Sequence, residues 1–236
     1  MNTKKKIRCK TNPNLKVRNR RFAVLHAALC AAAIVMSILL TACDNPWLGA
    51  KPGSGGGGAG VYAVGETSPG GGIIFYYSEA GFTVTGLGTC HYLEAAPANQ
   101  NQLIGVTWSS GSFNNFVDVT GAAGTAIGTG KANTAAIVAA LPDDTAANNA
   151  AKAAVAYTGG GKSDWFLPSK DELNAMYEAK THLGISSGGF WSSSQQSDNS
   201  GGAWVLYFAN DGGYQLPTIK HIYTGMDVDV RAVRAF

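Results

Sequence analysis

The stretch Gly184-Ile185-Ser186-Ser187-Gly188 has the G-x-S-x-G spacing that, on a sharp strand-to-helix turn, lifts a serine nucleophile out of a sheet. Here a helix-forming segment precedes it and a strand-forming segment follows, so it reads as a glycine-rich helix exit. Gly128-Thr129-Gly130-Lys131 ends like a phosphate-binding loop. Thr125 stands where the first glycine is needed, however, and Ala132 where a serine or threonine would hold magnesium, which excludes that reading. His91, His182 and His221 are too widely spread to share a metal by local spacing. Cys90-His91 could be half of a metal site or a reactive thiol, but the apolar run Cys90-His91-Tyr92-Leu93 favours a buried structural cysteine. Asp143-Asp144 reads as a helix start favoured by the dipole. Asp227 and Asp229 would share one face of a strand, where a weak cation site competes with plain solvation. Trp108, Trp165, Trp191 and Trp204 could line a carbohydrate platform, but aromatic residues at strand positions are mostly core, and Trp165, Trp191 and Trp204 are assigned there. No acid, base and nucleophile converge, so the expectation is a chain without catalytic residues, cofactor or metal.

The ten residues Asp164 to Leu173 are the most densely patterned in the chain. Trp165, Phe166 and Leu167 form a short apolar strand, which Pro168 ends by lacking an N–H. Ser169 and Glu172 form a capping box, so a helix starts there, with Leu173, Met176 and Tyr177 on its buried face. Before this hinge, strands are expected at Val61 to Val64, Ile73 to Tyr77, Tyr92 to Ala96 and Val106 to Trp108. Two alanine-rich helices follow. Asn133 or Thr134 would cap one running through Leu141, and Asp143, Asp144 or Thr145 would cap one running through about Tyr157, stopped by Gly159-Gly160-Gly161. After the hinge, strands are expected at Gly189 to Ser193, Ala203 to Phe208 and Val228 to Arg234. In the middle one, Trp204, Leu206 and Phe208 alternate with Val205 and Tyr207, which predicts one buried and one presented face. Strands, helices, then strands make an α+β domain.

The N-terminus carries a different message. Nine lysines and arginines lead into an apolar stretch, Phe22 to Leu40, ending in Leu40-Thr41-Ala42-Cys43. This resembles a bacterial lipoprotein signal: residues 1–42 would be removed and Cys43 lipidated. An uncleaved membrane helix is the alternative. Residues 43–60 would follow as a lipidated start and a flexible Gly-rich tether. Half of the 18 Lys and Arg lie before Cys43 and none of the 15 Asp and Glu do, so the chain after it carries a net charge of about −6 rather than +3. The basic balance therefore belongs to the leader and gives no reason to expect a nucleic-acid partner. Cys9 and Cys30 leave with the leader and Cys43 is the lipid site, leaving Cys90 alone in the domain at 61–236.

Six motifs carry a resemblance: Gly70-Gly71-Gly72-Ile73-Ile74-Phe75-Tyr76, Leu93-Glu94-Ala95-Ala96-Pro97, Gly128 to Thr134, Asp164 to Leu173, Phe190 to Ser194, and Val230-Arg231-Ala232-Val233-Arg234-Ala235-Phe236. Together they resemble the domain at the C-terminus of collagen-like adhesins and in many spirochaete lipoproteins. That family is similar to the C-type-lectin-like fold, in the branch shared with formylglycine-generating enzymes and with the variable proteins of diversity-generating retroelements, such as the treponemal variable protein. The resemblance implies short twisted antiparallel strands with two or three helices, a first and a last strand that pair, and a long loop region that carries binding. It also implies display at the outer membrane or cell surface, although Asp44 after the lipidated cysteine retains lipoproteins at the inner membrane in some bacteria. The single Cys90 departs from the cysteine pair that formylglycine generation requires, and the sugar-binding calcium motifs of true lectins are absent.

Tyr214 to Asp227 is irregular and aromatic-rich, as a diversified or simply divergent loop would be. The residues expected to be presented to a protein or glycan ligand are Gln195, Gln196, Asn199, Tyr207, Asn210, Tyr214, Gln215, His221 and Tyr223, because tyrosine among small amides suits adaptable binding. The function expected is a non-catalytic, adhesin-like binding domain held to the membrane through Cys43. An envelope enzyme acting on glycan or protein, or a purely structural lipoprotein, is the alternative.

Overall fold

The computed structural model describes residues 61–100, 106–110, 117–197, 201–209, 212–220 and 228–236, all within one unit, Ala59–Phe236. The expected leader, the tether and Cys43 lie outside them. Among the described residues the strands are β1 (Ile73–Val84), β2 (Gly88–Ala95), β3 (Gly188–Gln195), β4 (Gly202–Phe208), β5 (Tyr214–Ile219), β6 (Val228–Asp229) and β7 (Val233–Ala235). The α-helices are α1 (Gly130–Ala140), α2 (Ala150–Val155) and α3 (Lys170–Glu178). They build a three-stranded sheet in the order β1-β2-β7 and a four-stranded sheet in the order β5-β4-β3-β6. All pairings are antiparallel except β3 with β6. The domain is thus α+β, as its element order predicts.

The hinge stretch joins the two sheets. Phe166 exchanges both backbone hydrogen bonds with Val233 of β7, at 2.8 and 2.9 Å, while the Pro168 carbonyl accepts from Ser193 N of β3 at 2.7 Å. Two bonds from one residue make a bridge rather than the expected strand. The capping box forms as expected: Ser169 Oγ accepts from Glu172 N, and the Glu172 carboxylate accepts from Ser169 N at 2.7 Å. Leu173 and Met176 are buried by α3 while Tyr177 is half-buried.

The four-stranded sheet is covered on both faces. One core joins Trp108, Trp165, Leu167, Trp191, Val205 and Ile137 with the alanines of α2; the other joins Phe75, Leu93, Phe166, Leu173, Met176, Phe190, Leu206 and Phe208. Val205 (0% exposed) and Leu206 (2%) therefore point to opposite faces and are both buried, which corrects the one-sided β4 expected from its alternation. A strand flanked by helices on one side and by α3 and a second sheet on the other loses its solvent face.

Other boundaries also move. Val61–Val64 is not a strand. Pairing begins at Gly65 N, which donates to the Ile74 carbonyl, and the Glu66 carboxylate closes a turn by accepting from Ala63 N. Val106 to Trp108 holds isolated backbone bonds to Val228 and Lys220 without forming a strand. Helix α1 starts at Gly130, so Asn133 and Thr134 lie inside it. Their side chains bond Gly124 and Leu167 instead of capping. Asn149, not Asp143, Asp144 or Thr145, caps α2. The Asp144 carboxylate is occupied by Ser110 N, Ser110 Oγ and Asn149 Nδ2, which organises the loop before the helix. The closing segment breaks into β6 and β7, and β7 pairs with β2 (Leu93 with Ala235) rather than with the first strand. The ends of the domain still meet, since Tyr62 packs edge-on against Tyr92 and Phe236.

Candidate ligand-binding surface

Several of the motifs that stand out in the sequence turn out to be joints. Glu94 of β2 is fully buried and accepts from Arg234 Nη1 at 2.6 Å, Gly72 N at 3.0 Å and the Ser68 hydroxyl. Arg234 Nε donates to Asp164 Oδ1 at 2.6 Å, so one guanidinium ties β7, β2 and the hinge. A Cβ on Gly70 or Gly72 would collide with the Glu94 carboxylate, which accounts for glycine there. Glu172 also reaches past its own helix to accept from Gly128 N at 2.8 Å. Gly128 has φ +93°, and a Cβ there would strike the Thr83 carbonyl. Burial pushes Glu172 up to about 7, against the N–H groups of Ser169, Gly128 and Gly130, which hold it down.

The tryptophans are mostly core. Trp165, Trp191 and Trp108 are 2%, 0% and 0% exposed, and Trp108 Nε1 and Trp191 Nε1 donate to the carbonyls of Ser192 and Val106. Trp204 departs from its core assignment. It is half-buried, cross-strand from Pro217, with Lys170 Nζ 3.8 Å above its ring. Cys90 is buried and free as expected, and burial raises its thiol above the ordinary value. Among the described residues no group of three His, Cys, Asp or Glu could hold a metal. Ser186 is exposed in the loop after α3, without the strand-to-helix turn that would activate it.

The residues expected at the ligand surface separate. Tyr207 of β4 and Tyr214 of β5 are cross-strand partners, their rings stacked at 5.3 Å between centroids and 21° between planes. Tyr214 is 54% exposed on the edge strand, and Tyr207 is half-buried over Gly189 of β3, where a Cβ would lie 2.8 Å from its ring. Gln215, next along β5, faces the other way and donates from Nε2 to the Lys170 carbonyl at 3.0 Å. Gln196 lies at the far end of β3, folded over Gly202. Gln195 is a correction: it is 6% exposed, donating to Asp118 and accepting from Val119 N, and so holds an inner loop instead of meeting a ligand. Its polar type suggested presentation, but a bulge after Trp191 turns it inward. Asn199, Asn210, His221, Tyr223 and Asp227 lie outside the described residues.

Sequence reasoning missed Lys220, which is 0% exposed. Its Nζ donates to the Val117 carbonyl at 2.8 Å and to Gln195 Oε1, and sits 4.4 Å above the Trp108 ring. A lone lysine at the end of an edge strand carries no sequence signal for burial. Burial lowers Lys220 to about 8 against the opposing charge of Asp118. Between pH 8 and its ordinary 10.5 the unfolded chain keeps a proton that the folded one has released, so stability from this group rises with pH across that window. Lys220→Met is expected to flatten that rise, measured by urea unfolding at stepped pH. An identical wild-type and variant slope would show that Lys220 does not titrate there.

Compared with known protein families and with curated protein sequences, the chain matches none.

Proposed function

We propose that this chain is a lipid-anchored protein of the bacterial cell envelope whose domain has a C-type-lectin-like fold and binds a protein or glycan partner without catalysis. The fold reading is supported by the two small, mostly antiparallel sheets, and by the final strand returning beside the first hairpin so that Tyr62 and Phe236 meet. The binding reading rests on one observation, the stacked Tyr207–Tyr214 pair at the β5 side of the larger sheet, where β5 is the edge strand among the described residues. Stacked tyrosines offer large, rigid, amphipathic contact area at little entropic cost, and an edge strand offers unpaired backbone groups to an incoming chain. The strongly shifted groups Glu172 and Lys220 serve as internal ties, so neither favours an enzyme.

The test is saturation binding of the full chain, in detergent, to glycan arrays and immobilised matrix proteins. Tyr207→Ala with Tyr214→Ala is expected to weaken any saturable interaction at least about tenfold, as truncating central aromatic anchors does elsewhere. Unchanged affinity would move the site away from this edge. Absence of saturable binding by the wild type would favour a structural envelope role.

A further inference from the structure

Lys220, Gln195, Asp118 and Val119 meet in one cluster beside Trp108, apart from the aromatic edge. Lys220 is 0% exposed and Gln195 6%. Lys220 Nζ donates to Gln195 Oε1, Val119 N donates to the same oxygen at 2.9 Å, and Gln195 Nε2 donates to Asp118 Oδ1. These contacts fix the orientation of the amide, with two donors at its oxygen and one acceptor at its nitrogen. A buried amine is thus held against a carbonyl that a backbone N–H already polarises, and the nitrogen that aminolysis would expel already rests on a carboxylate.

The surroundings suit a nucleophile. Nζ lies 4.4 Å above the Trp108 ring and is kept in place by the Val117 carbonyl at 2.8 Å. The salt bridges among the described residues belong to Arg234, so no direct ion pair holds Lys220 in its charged form. Burial brings its amine down to about 8, which leaves part of it neutral near neutral pH. Gln195 Cδ is one bond from the oxygen that Nζ touches, so a small shift brings Nζ onto the carbonyl carbon.

We propose that the folded chain joins Lys220 to Gln195 through an intramolecular isopeptide bond. Nζ attacks Cδ, and the Val119 N–H meets the charge that develops on Oε1. The Nζ–Cδ bond forms and the Cδ–Nε2 bond breaks. Nζ sheds two of its three ammonium protons, Asp118 relays both to Nε2, and that nitrogen leaves as ammonium. No oxidation state changes and no further reactant enters. The product ties the last residue of β3 to the residue after β5, closing a covalent loop around β4 between positions 25 apart. Such a link restricts the unfolded chain and fastens the edge strand. The titration of Lys220 belongs to the unlinked chain and disappears as the link forms.

The experiment is tryptic mass spectrometry of the full chain in detergent, collected directly after synthesis and again after storage. Thr181 to Lys220 contains no other lysine or arginine, so trypsin releases that peptide from an unlinked chain. In the linked chain trypsin cannot cut after Lys220. The peptide from Thr181 to Arg231 is then expected, lighter by one ammonia and giving no backbone fragments between Gln195 and Lys220. It should accumulate with storage while the rise in stability above pH 8 is lost. Asp118→Asn is expected to slow its formation at least about a hundredfold with the circular dichroism unchanged, the scale of one positioned acid–base group. Stored wild type that still releases Thr181 to Lys220 quantitatively would overturn the proposal, as would an ammonia loss that fragmentation places at an asparagine. Equal formation in a folded Asp118→Asn chain would overturn it too. The double alanine at Tyr207 and Tyr214 should still form the link, so failure of the aromatic-edge reading and failure of this one are separable.

Discussion

Arg234→Ala is expected to destabilise the domain by about 3–5 kcal/mol, the range for removing one partner of a buried ion pair. The reason lies in Glu94. Its side chain is fully buried, and among its partners only Arg234 carries a positive charge, the others being the Gly72 N–H and the Ser68 hydroxyl. Without the guanidinium the carboxylate must take up a proton or draw in water, and Gly70 and Gly72 pack too closely around it for easy rearrangement. Asp164 loses less, since its side chain is 31% exposed and can be solvated. Arg234→Lys should fall in between, because one ammonium cannot reproduce a fork whose Nε serves Asp164 while Nη1 serves Glu94. Glu94→Gln combined with Arg234→Met should cost less than the two single changes summed, since no unpaired charge then remains. Urea unfolding of Arg234→Ala, Arg234→Lys, Glu94→Gln, Arg234→Met and the double variant decides it. A loss below about 1 kcal/mol for Arg234→Ala, the level of a surface pair, would mean that Glu94 is hydrated in solution.

What the sequence made legible was local. The capping box at Ser169 and Glu172 is a short-range pattern with a single geometric meaning, and it appears as expected. The α+β order follows from period and punctuation in the same way. What stayed hidden depended on partners distant in sequence. The alternation of β4 says which residues share a face, but not that α2 and Trp108 cover one face while α3 covers the other. Asp144 and Asn149 are equally good helix caps by type, and the choice was made by Ser110, 34 residues before Asp144, which engages its carboxylate. Gln195 and Lys220 look like surface residues by composition, yet they satisfy each other inside the domain. The surface was only partly readable for the same reason: Tyr207 and Tyr214 meet because the β4–β5 register pairs them, whereas the same register turns Gln215 to the opposite face.

Glu172→Ala is the second substitution expected to have a large effect, about 3–5 kcal/mol, because it removes a cap and strands buried backbone donors at about 1–3 kcal/mol each. The carboxylate holds Ser169 N and Gly128 N at once, so it fastens the start of α3 to the loop entering α1. Loss should therefore unlock the 124–130 segment as well as fray a helix end. Hydrogen exchange at Gly128 and Ser169 should accelerate together, whereas a purely local cap defect would release Ser169 alone. Glu172→Gln should cost less, about 1–3 kcal/mol, since its amide turns one N–H against a backbone donor. The same variant isolates the titration. Burial raises the folded carboxyl to about 7 from its ordinary 4.5, so between those values the folded protein binds a proton that the unfolded chain has released. The contribution is fully present below pH 4.5 and is lost as pH rises through 7. Wild-type stability should consequently fall with pH across this window relative to Glu172→Gln, and parallel profiles would show that the backbone donors, rather than burial, set the charge of Glu172.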